Sequence, residues 1–266
     1  MGYESIIYEP GTVARVIMNR PRYHNAQSRM MLEEMDDAFA KAAADDKVRV
    51  IIMSGNGEHF SSGHDIGTPE QQADHAARGG WPAKREPYYN WMKDYYLDMS
   101  LRWRSLPKPT IAMVHGYCIY GGWIVASSMD LIFASEDAQF LGTHTQFFPV
   151  PWDVGIRRAK DVLFEGRFIT AQEALDWGFV SRVWPREKLE EETLAYAQRV
   201  AENHPFNLRM CKFSVNHAQD LMGFTSAVQA ALQTFFTMQY GRHREGVPKG
   251  TSLIGNALKH SGETPE

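Results

Sequence analysis

Short apolar runs spaced between helical stretches constrain this chain more than any other feature. Val48 to Met53, Pro109 to Val114 and Leu131 to Ala134 are too short for helices and read as buried strands. Ahead of the first run, Leu32, Met35, Ala38 and Phe39 recur at helical spacing, with Ser28 placed to cap the helix. Ile6 to Tyr8 and Val13 to Met18 flank the turn signal Pro10-Gly11 and read as a hairpin. A strand, a helix and a strand in that order predict a crossover and a largely parallel sheet. Further on, Gly116 to Gly122 reads as a glycine-rich turn opening a helix at Trp123 to Ser128. Thr170 to Glu173 is a capping box whose helix Gly178 closes. Residues 185–203, 205–218 and 225–240 read as helices. An α/β core is therefore expected over residues 1–185 and a helical region over 186–266.

Residues 67–106 break the pattern. Glycine, proline and charge dominate up to Pro87, which reads as a long loop. From Tyr88 onward Tyr89, Trp91, Tyr95, Tyr96 and Trp103 crowd a stretch with helical spacing.

With 266 residues the chain can bury a large core without disulfides, and Cys118 and Cys211 read as buried, reduced thiols. The 28 Lys and Arg against 32 Asp and Glu give a net charge of −4, which argues against a generally basic nucleic-acid binder. Mean hydropathy is −0.40. The most apolar stretch, Thr110 to Ala134, is interrupted by His115, Gly121, Gly122 and Asp130, so no membrane span is expected. The first residues carry no basic and apolar leader pattern, and a cytoplasmic protein is expected. No cluster has metal-ligand spacing, and no phosphate-binding or dinucleotide fingerprint is present, so no metal and no separate cofactor are expected.

Two segments carry candidate chemistry. Phe60-Ser61-Ser62-Gly63-His64-Asp65-Ile66 follows a strand, and His115-Gly116 through Gly121-Gly122 follows another and opens a helix. Each offers free backbone N–H groups, and two such donors aimed at one oxygen make an oxyanion hole.

These segments, with Asn19-Arg20-Pro21, Asn25-Ala26, Lys108 to Ala112, Asp130 to Ala134, Ala138-Gln139-Phe140 and Thr170 to Val180, resemble the crotonase (enoyl-CoA hydratase/isomerase) superfamily. The resemblance runs in one order along nearly the whole chain. It implies an α/β fold, a crotonase-like ββα spiral core, with a helical C-terminal trimerisation region. It implies an acyl-CoA thioester as substrate and partner, an enolate-like intermediate, and a homotrimer or dimer of trimers. The oxyanion hole falls on the backbone N–H groups of His64 and Gly121. Arg22 and Ala26, then Asp65 and Ile66, then Tyr120 and Ile124, fall at substrate-binding positions. Arg22 suits a phosphate. The aromatic helix falls over the acyl pocket.

The departures are as informative as the matches. Family hydratases carry two catalytic glutamates. Ile124 stands where one falls and His144 where the other falls. His144 titrates near neutrality, as acid–base work requires. Asp153, nine residues on, is a carboxylate that orients His144 or a cap of the following helix. The expected activity is isomerisation, or hydrolytic carbon–carbon cleavage of a β-dicarbonyl, with His144 and Asp153 as the acid–base group. The alternatives are hydration with other proton donors and an inactive acyl-CoA-binding protein.

Overall fold

The computed structural model describes residues 2–80, 82, 84–142, 145–245 and 257–258. The hairpin β1 (Ile6–Glu9) and β2 (Val13–Met18) pairs antiparallel, Ile6 facing Met18. Helix α1 (Arg29–Ala44) then crosses to β3 (Val50–Gly55), which lies parallel to β2. Ser28 caps α1, its hydroxyl accepting from Met31 N–H at 3.2 Å.

Helix α2 (Pro69–Ala77) comes next, followed by one nearly continuous helical rod. The rod runs from α3 (Arg85–Met92) through a π-helical stretch, Lys93–Asp98, into α4 (Met99–Arg104). Strand β4 (Thr110–Val114), the short β5 (Tyr117–Ile119), α5 (Gly121–Ser127) and β6 (Leu131–Ser135) follow. Then come β7 (Gln139–Leu141), α6 (Val150–Val154), α7 (Ile156–Glu165), β8 (Ile169–Thr170), α8 (Ala171–Asp176) and β9 (Arg182–Trp184). Helices α9 (Arg186–Ala201), α10 (Pro205–Leu221) and α11 (Phe224–Glu245) follow in turn. The main sheet has the order β1-β2-β3-β4-β6-β9 and is parallel beyond the hairpin; β5, β7 and β8 form a second, small sheet.

The unbroken apolar character of the central strands has a direct cause. Side chains alternate between faces, and both faces are covered. Ile51, Met53, Ala112, Val114, Ile132 and Ala134 face the main core, with Met31, Met35 and Phe39 of α1. Val50, Ile52, Ile111, Met113 and Phe133 face a second core closed by Leu189 and Ala197 of α9. Helix α9 thus lies on the sheet, and the helices beyond it begin at Pro205. Helix α10 has no buried residue, and Phe206, Phe213, Leu221 and Met222 stand exposed along it.

Three expectations need correction. Residues 67–87 are not one loop, because α2 forms within them. Thr68 caps that helix through Gln71 N–H, and Pro69 at its first position has no N–H to leave unpaired. The turn 116–122 contains strand β5. Cys118 is buried, but Cys211 is exposed, because α10 turns no residue into a core. Among the described residues no helix is long and apolar enough to cross a membrane.

Phe133 is fully buried and meets Trp184 and Tyr196 edge-on at 5.3 and 5.0 Å, joining the sheet to α9. Phe133→Ala is expected to cost roughly 3–5 kcal/mol, read as a lower midpoint in urea unfolding.

Candidate active site

The segment after β3 and the turn into α5 meet inside the molecule. Ser61 N–H donates to Tyr117 O at 3.0 Å and Ile119 N–H to Ser61 O at 2.9 Å. On its other side, Gln27 N–H donates to Gly63 O at 2.8 Å and Asp65 N–H to Gln27 O at 3.0 Å. Residues 61–65 are therefore stitched between 27 and 117–119. The backbones approach so closely that side chains do not fit. A Cβ on Gly63 would lie 2.9 Å from Ile119 O and 3.2 Å from Gly121 N, and one on Gly122 2.8 Å from Ser61 O. One on Gly121 would lie 2.4 Å from Gln27 Oε1 and 3.0 Å from the His64 ring. Glycine is required at all three positions for close approach, and at Gly63 also for its φ of +97°.

This packing brings His64 and Gly121 together. Neither backbone N–H finds an acceptor among the described residues. For Gly121 the reason is its place at the start of α5, where helical amides have no partner within the helix. The residue before it, Tyr120, carries a φ of +45°, a conformation that costs a non-glycine residue about 1–3 kcal/mol. Its backbone is held by Tyr120 N–H to Leu141 O at 3.0 Å and Ile124 N–H to Tyr120 O at 3.0 Å. Its side chain packs against the small apolar cluster of Ile119, Leu141 and Ala257. Burial pushes the Tyr120 phenol up to about 12.

The His64 ring is held on two sides. Nε2 lies 2.9 Å from Gln146 Oε1, and the ring lies 4.2 Å from that of Tyr96, centre to centre. Burial pushes His64 down to about 4, against the Gln146 bond, so the ring is neutral at pH 7.

The substrate-binding candidates lie in different environments around this junction. Asp65 is buried and forms an ion pair with Arg20 at 2.8 Å. It also accepts from Gly67 N–H, Thr68 N–H and the Thr68 hydroxyl at 3.0, 2.8 and 2.5 Å. Burial works against its charge, but these bonds outweigh it and hold the carboxyl below its ordinary value. Arg20 further donates to Ala26 O at 2.6 Å and Thr68 Oγ1 at 2.8 Å. The Asp65 carboxylate and the Ala26 carbonyl thus belong to a scaffold that pins residues 65–68 against 20–26. Arg22 is exposed, pairs with Glu70 at 2.6 Å and lies over the Tyr23 ring at 4.5 Å. Ile66 is 97% exposed, and Ile124 is buried in the main core.

Asp153 lies within α6, so the reading of it as a cap for the next helix is corrected. Gly155 occupies that cap position and makes no side-chain bond. The Asp153 carboxylate instead turns to α5, where Oδ2 accepts from Trp123 Nε1 and Ser127 Oγ, both at 2.7 Å. Burial pushes it up to about 7, and the two bonds only partly counter this. His144 lies outside the described residues. Among the described residues no group of three or more His, Cys, Asp or Glu is placed to hold a metal ion.

Arg20, Gln27, Tyr96 and Gln146 were not singled out by residue type and spacing. Tyr96 is one of a crowd of aromatics, and nothing local marks Gln146.

The model of one family, described as enoyl-CoA hydratase/isomerase, matches residues 9–252. The chain belongs to the enoyl-CoA hydratase/isomerase family. It is 36% identical over 249 residues to a Mycobacterium tuberculosis protein provisionally named enoyl-CoA hydratase EchA13, covering 87% of this chain and 78% of that one. A crystal structure of a provisionally named enoyl-CoA hydratase from Mycobacterium thermoresistibile aligns with a TM-score of 0.80 at 38% identity, over 88% of this chain and 95% of the other. An enoyl-CoA hydratase/isomerase from Xanthobacter autotrophicus Py2 aligns with a TM-score of 0.81 at 29% identity, over 99% and 100%. The crotonase fold expected from the motifs is the fold observed.

In this family member Asp153 leaves a signature in stability. Its folded carboxyl titrates near 7 and its unfolded one near 3.8, so the native state binds the proton more tightly. Its contribution is fully present below the unfolded value and is lost as pH rises through the folded one. His64 acts in the opposite sense, costing stability as pH falls from 6.5 towards 4. Asp153→Asn should therefore gain in melting temperature relative to the unaltered protein between about pH 5 and pH 8. A difference in melting temperature that stays constant over that range would show that Asp153 does not titrate there.

Proposed function

We propose that this chain binds an acyl-CoA thioester and stabilises its enolate at the backbone N–H groups of His64 and Gly121. The observation that carries the reading is this pair of amides, brought together by the glycine contacts and without protein acceptors among the described residues. When a thioester loses a proton, or a carbon–carbon bond, next to its carbonyl, negative charge gathers on the carbonyl oxygen. Fixed amide dipoles aimed at that oxygen stabilise the charge without having to reorganise. The nearby His64 ring is neutral and adds no competing charge. Membership of the family supports a CoA thioester as the substrate class, and coenzyme A enters as part of it, so the chemistry requires no separate cofactor.

The proton-transfer group we assign is His144, with Asp153 as its partner. In isomerisation His144 takes a proton from one carbon and returns it to another. In hydrolytic cleavage of a β-dicarbonyl, it takes a proton from water as the hydroxyl adds to the β-carbonyl. The carbon–carbon bond then breaks, its electron pair passes into the enolate, and the proton is delivered to carbon. Support for Asp153 comes from its anchored Oδ2 and a carboxyl that titrates near working pH. Ile124 has no titratable group, which disfavours two-glutamate hydration. The aromatic rings of Tyr96 and Trp91, in contact at 5.3 Å, suit a bulky acyl group. The exposed apolar residues of α10 support assembly as a homotrimer or a dimer of trimers.

Mixing the protein with crotonyl-CoA and following the enoyl absorbance, with product mass, tests the reading first. Slow or absent hydration is expected, and rapid hydration would overturn the assignment of His144 and Ile124. On a substrate that is turned over, His144→Ala should lower kcat by about 100-fold while coenzyme A binding persists. Loss of both, or of neither, would overturn its role. Gly121→Ala keeps the N–H but sets a Cβ against Gln27 Oε1 and the His64 ring, so the donor must shift, and kcat should fall by up to about 100-fold. Wild-type turnover in that variant would show that the close approach of Gln27 and the His64 ring to Gly121 does not set the donor's position.

A further inference from the structure

We propose that the His64 side chain is a strut that sets the spacing of the two oxyanion-hole donors, and that Gln146 and Tyr96 are the positioning residues that hold it. The proposal rests on the enolate-stabilising reading above. It concerns how that site keeps its geometry.

The ring packs against the residue that carries the second donor. His64 carries one donor on its own backbone. Its ring reaches across to the residue that carries the other, since Nδ1 and Cε1 both lie 3.0 Å from the place of a Cβ on Gly121. Gln27 Oε1 presses on the same place at 2.4 Å, so the Gly121 Cα is flanked by the His64 ring and Gln27. The ring is then fixed from outside. Gln146, 82 residues further along the chain, takes Nε2, and Tyr96 of the π-helical stretch lies against the ring, tilted by 31°. Insertions of this kind in helices often accompany functional sites; here it lies in the helix that brings the Tyr96 ring to His64.

The choice of an amide at position 146 matters. With Oε1 as the acceptor, Nε2 carries the ring proton and Nδ1 carries a lone pair. Nδ1 is buried and has no hydrogen-bond partner among the described residues. A proton on Nδ1 would put a charged N–H against the Gly121 backbone, and the ring would have to move. Among the described residues, the groups found at the ring are Gln146, Tyr96 and Gly121, and none is charged; burial keeps the Tyr96 phenol protonated. A carboxylate in place of Gln146 would hold the ring as imidazolium and break the strut.

The test uses the full-length protein and Gln146→Glu. Deuterium exchange at the α-carbon of butyryl-CoA in heavy water, read by mass, reports enolate formation whatever the physiological reaction is. We expect the exchange rate of Gln146→Glu to fall by at least about 10-fold near pH 6, with butyryl-CoA affinity within about 3-fold of the unaltered protein. We expect it to recover towards the unaltered rate as rising pH neutralises the ring. A Gln146→Glu protein whose ring is shown by 15N NMR to be cationic, yet whose exchange profile is unchanged, would overturn the strut. If the variant fails to fold, the 15N spectrum of the unaltered protein decides. A proton on His64 Nε2 supports the proposal, and one on Nδ1 overturns it. Absence of both exchange and butyryl-CoA binding in the unaltered protein would instead overturn the enolate reading.

Discussion

The structure depends on one close contact between backbones. Residues 61–64 run against 117–122 at distances that exclude a Cβ at Gly63, Gly121 and Gly122. The main sheet, the small sheet and α5 all converge there. Strand β3 delivers 61–64 to the contact, and β5 delivers the turn before α5. Peptide groups meeting at this distance must pair or face an opening. Most of them pair. The amides of His64 and Gly121 have no acceptor in the described protein, so the packing that joins the two sheets also creates the candidate site.

Around that contact, polarity is sorted by distance from the amides. The Arg20–Asp65 ion pair, with Thr68 and Gly67, is fully committed to bonds that hold the start of α2 against residues 20–26. A buried pair of this kind contributes little net stability, but removal of one partner is costly because it strands the other charge. Nearer the amides the described groups are neutral, with a histidine that burial keeps uncharged, a tyrosine and two glutamines. Asp153 lies one helix away, on the Trp123 and Ser127 side of α5, as a carboxyl poised between its two states.

Much of the architecture was legible from local pattern. The hairpin, α1 with its Ser28 cap, the three buried runs and the capping box at Thr170 all depend on neighbours within a few residues, and each is present. Helix α2 was hidden because its polar composition resembles a loop, although Thr68 and Pro69 mark its start. The contrast between Cys118 and Cys211 was not legible, because both stand in apolar sequence and only the packing of α10 separates them. Of the two readings open for Asp153, the cap fails for a related reason. Its position suits one, while its partners lie 26 and 30 residues earlier on another helix.

The chain's own order of residues determined the crossover sheet, the two glycine-bearing segments and the family. These follow from residue identity and short-range periodicity. The tertiary structure alone decided that Asp65 belongs to a scaffold and that Asp153 turns to α5. It also decided that the His64 ring is neutral and wedged against Gly121 between Gln146 and Tyr96. Those outcomes depend on burial and on hydrogen-bond partners far apart in the chain, and neither exists until the backbone has folded.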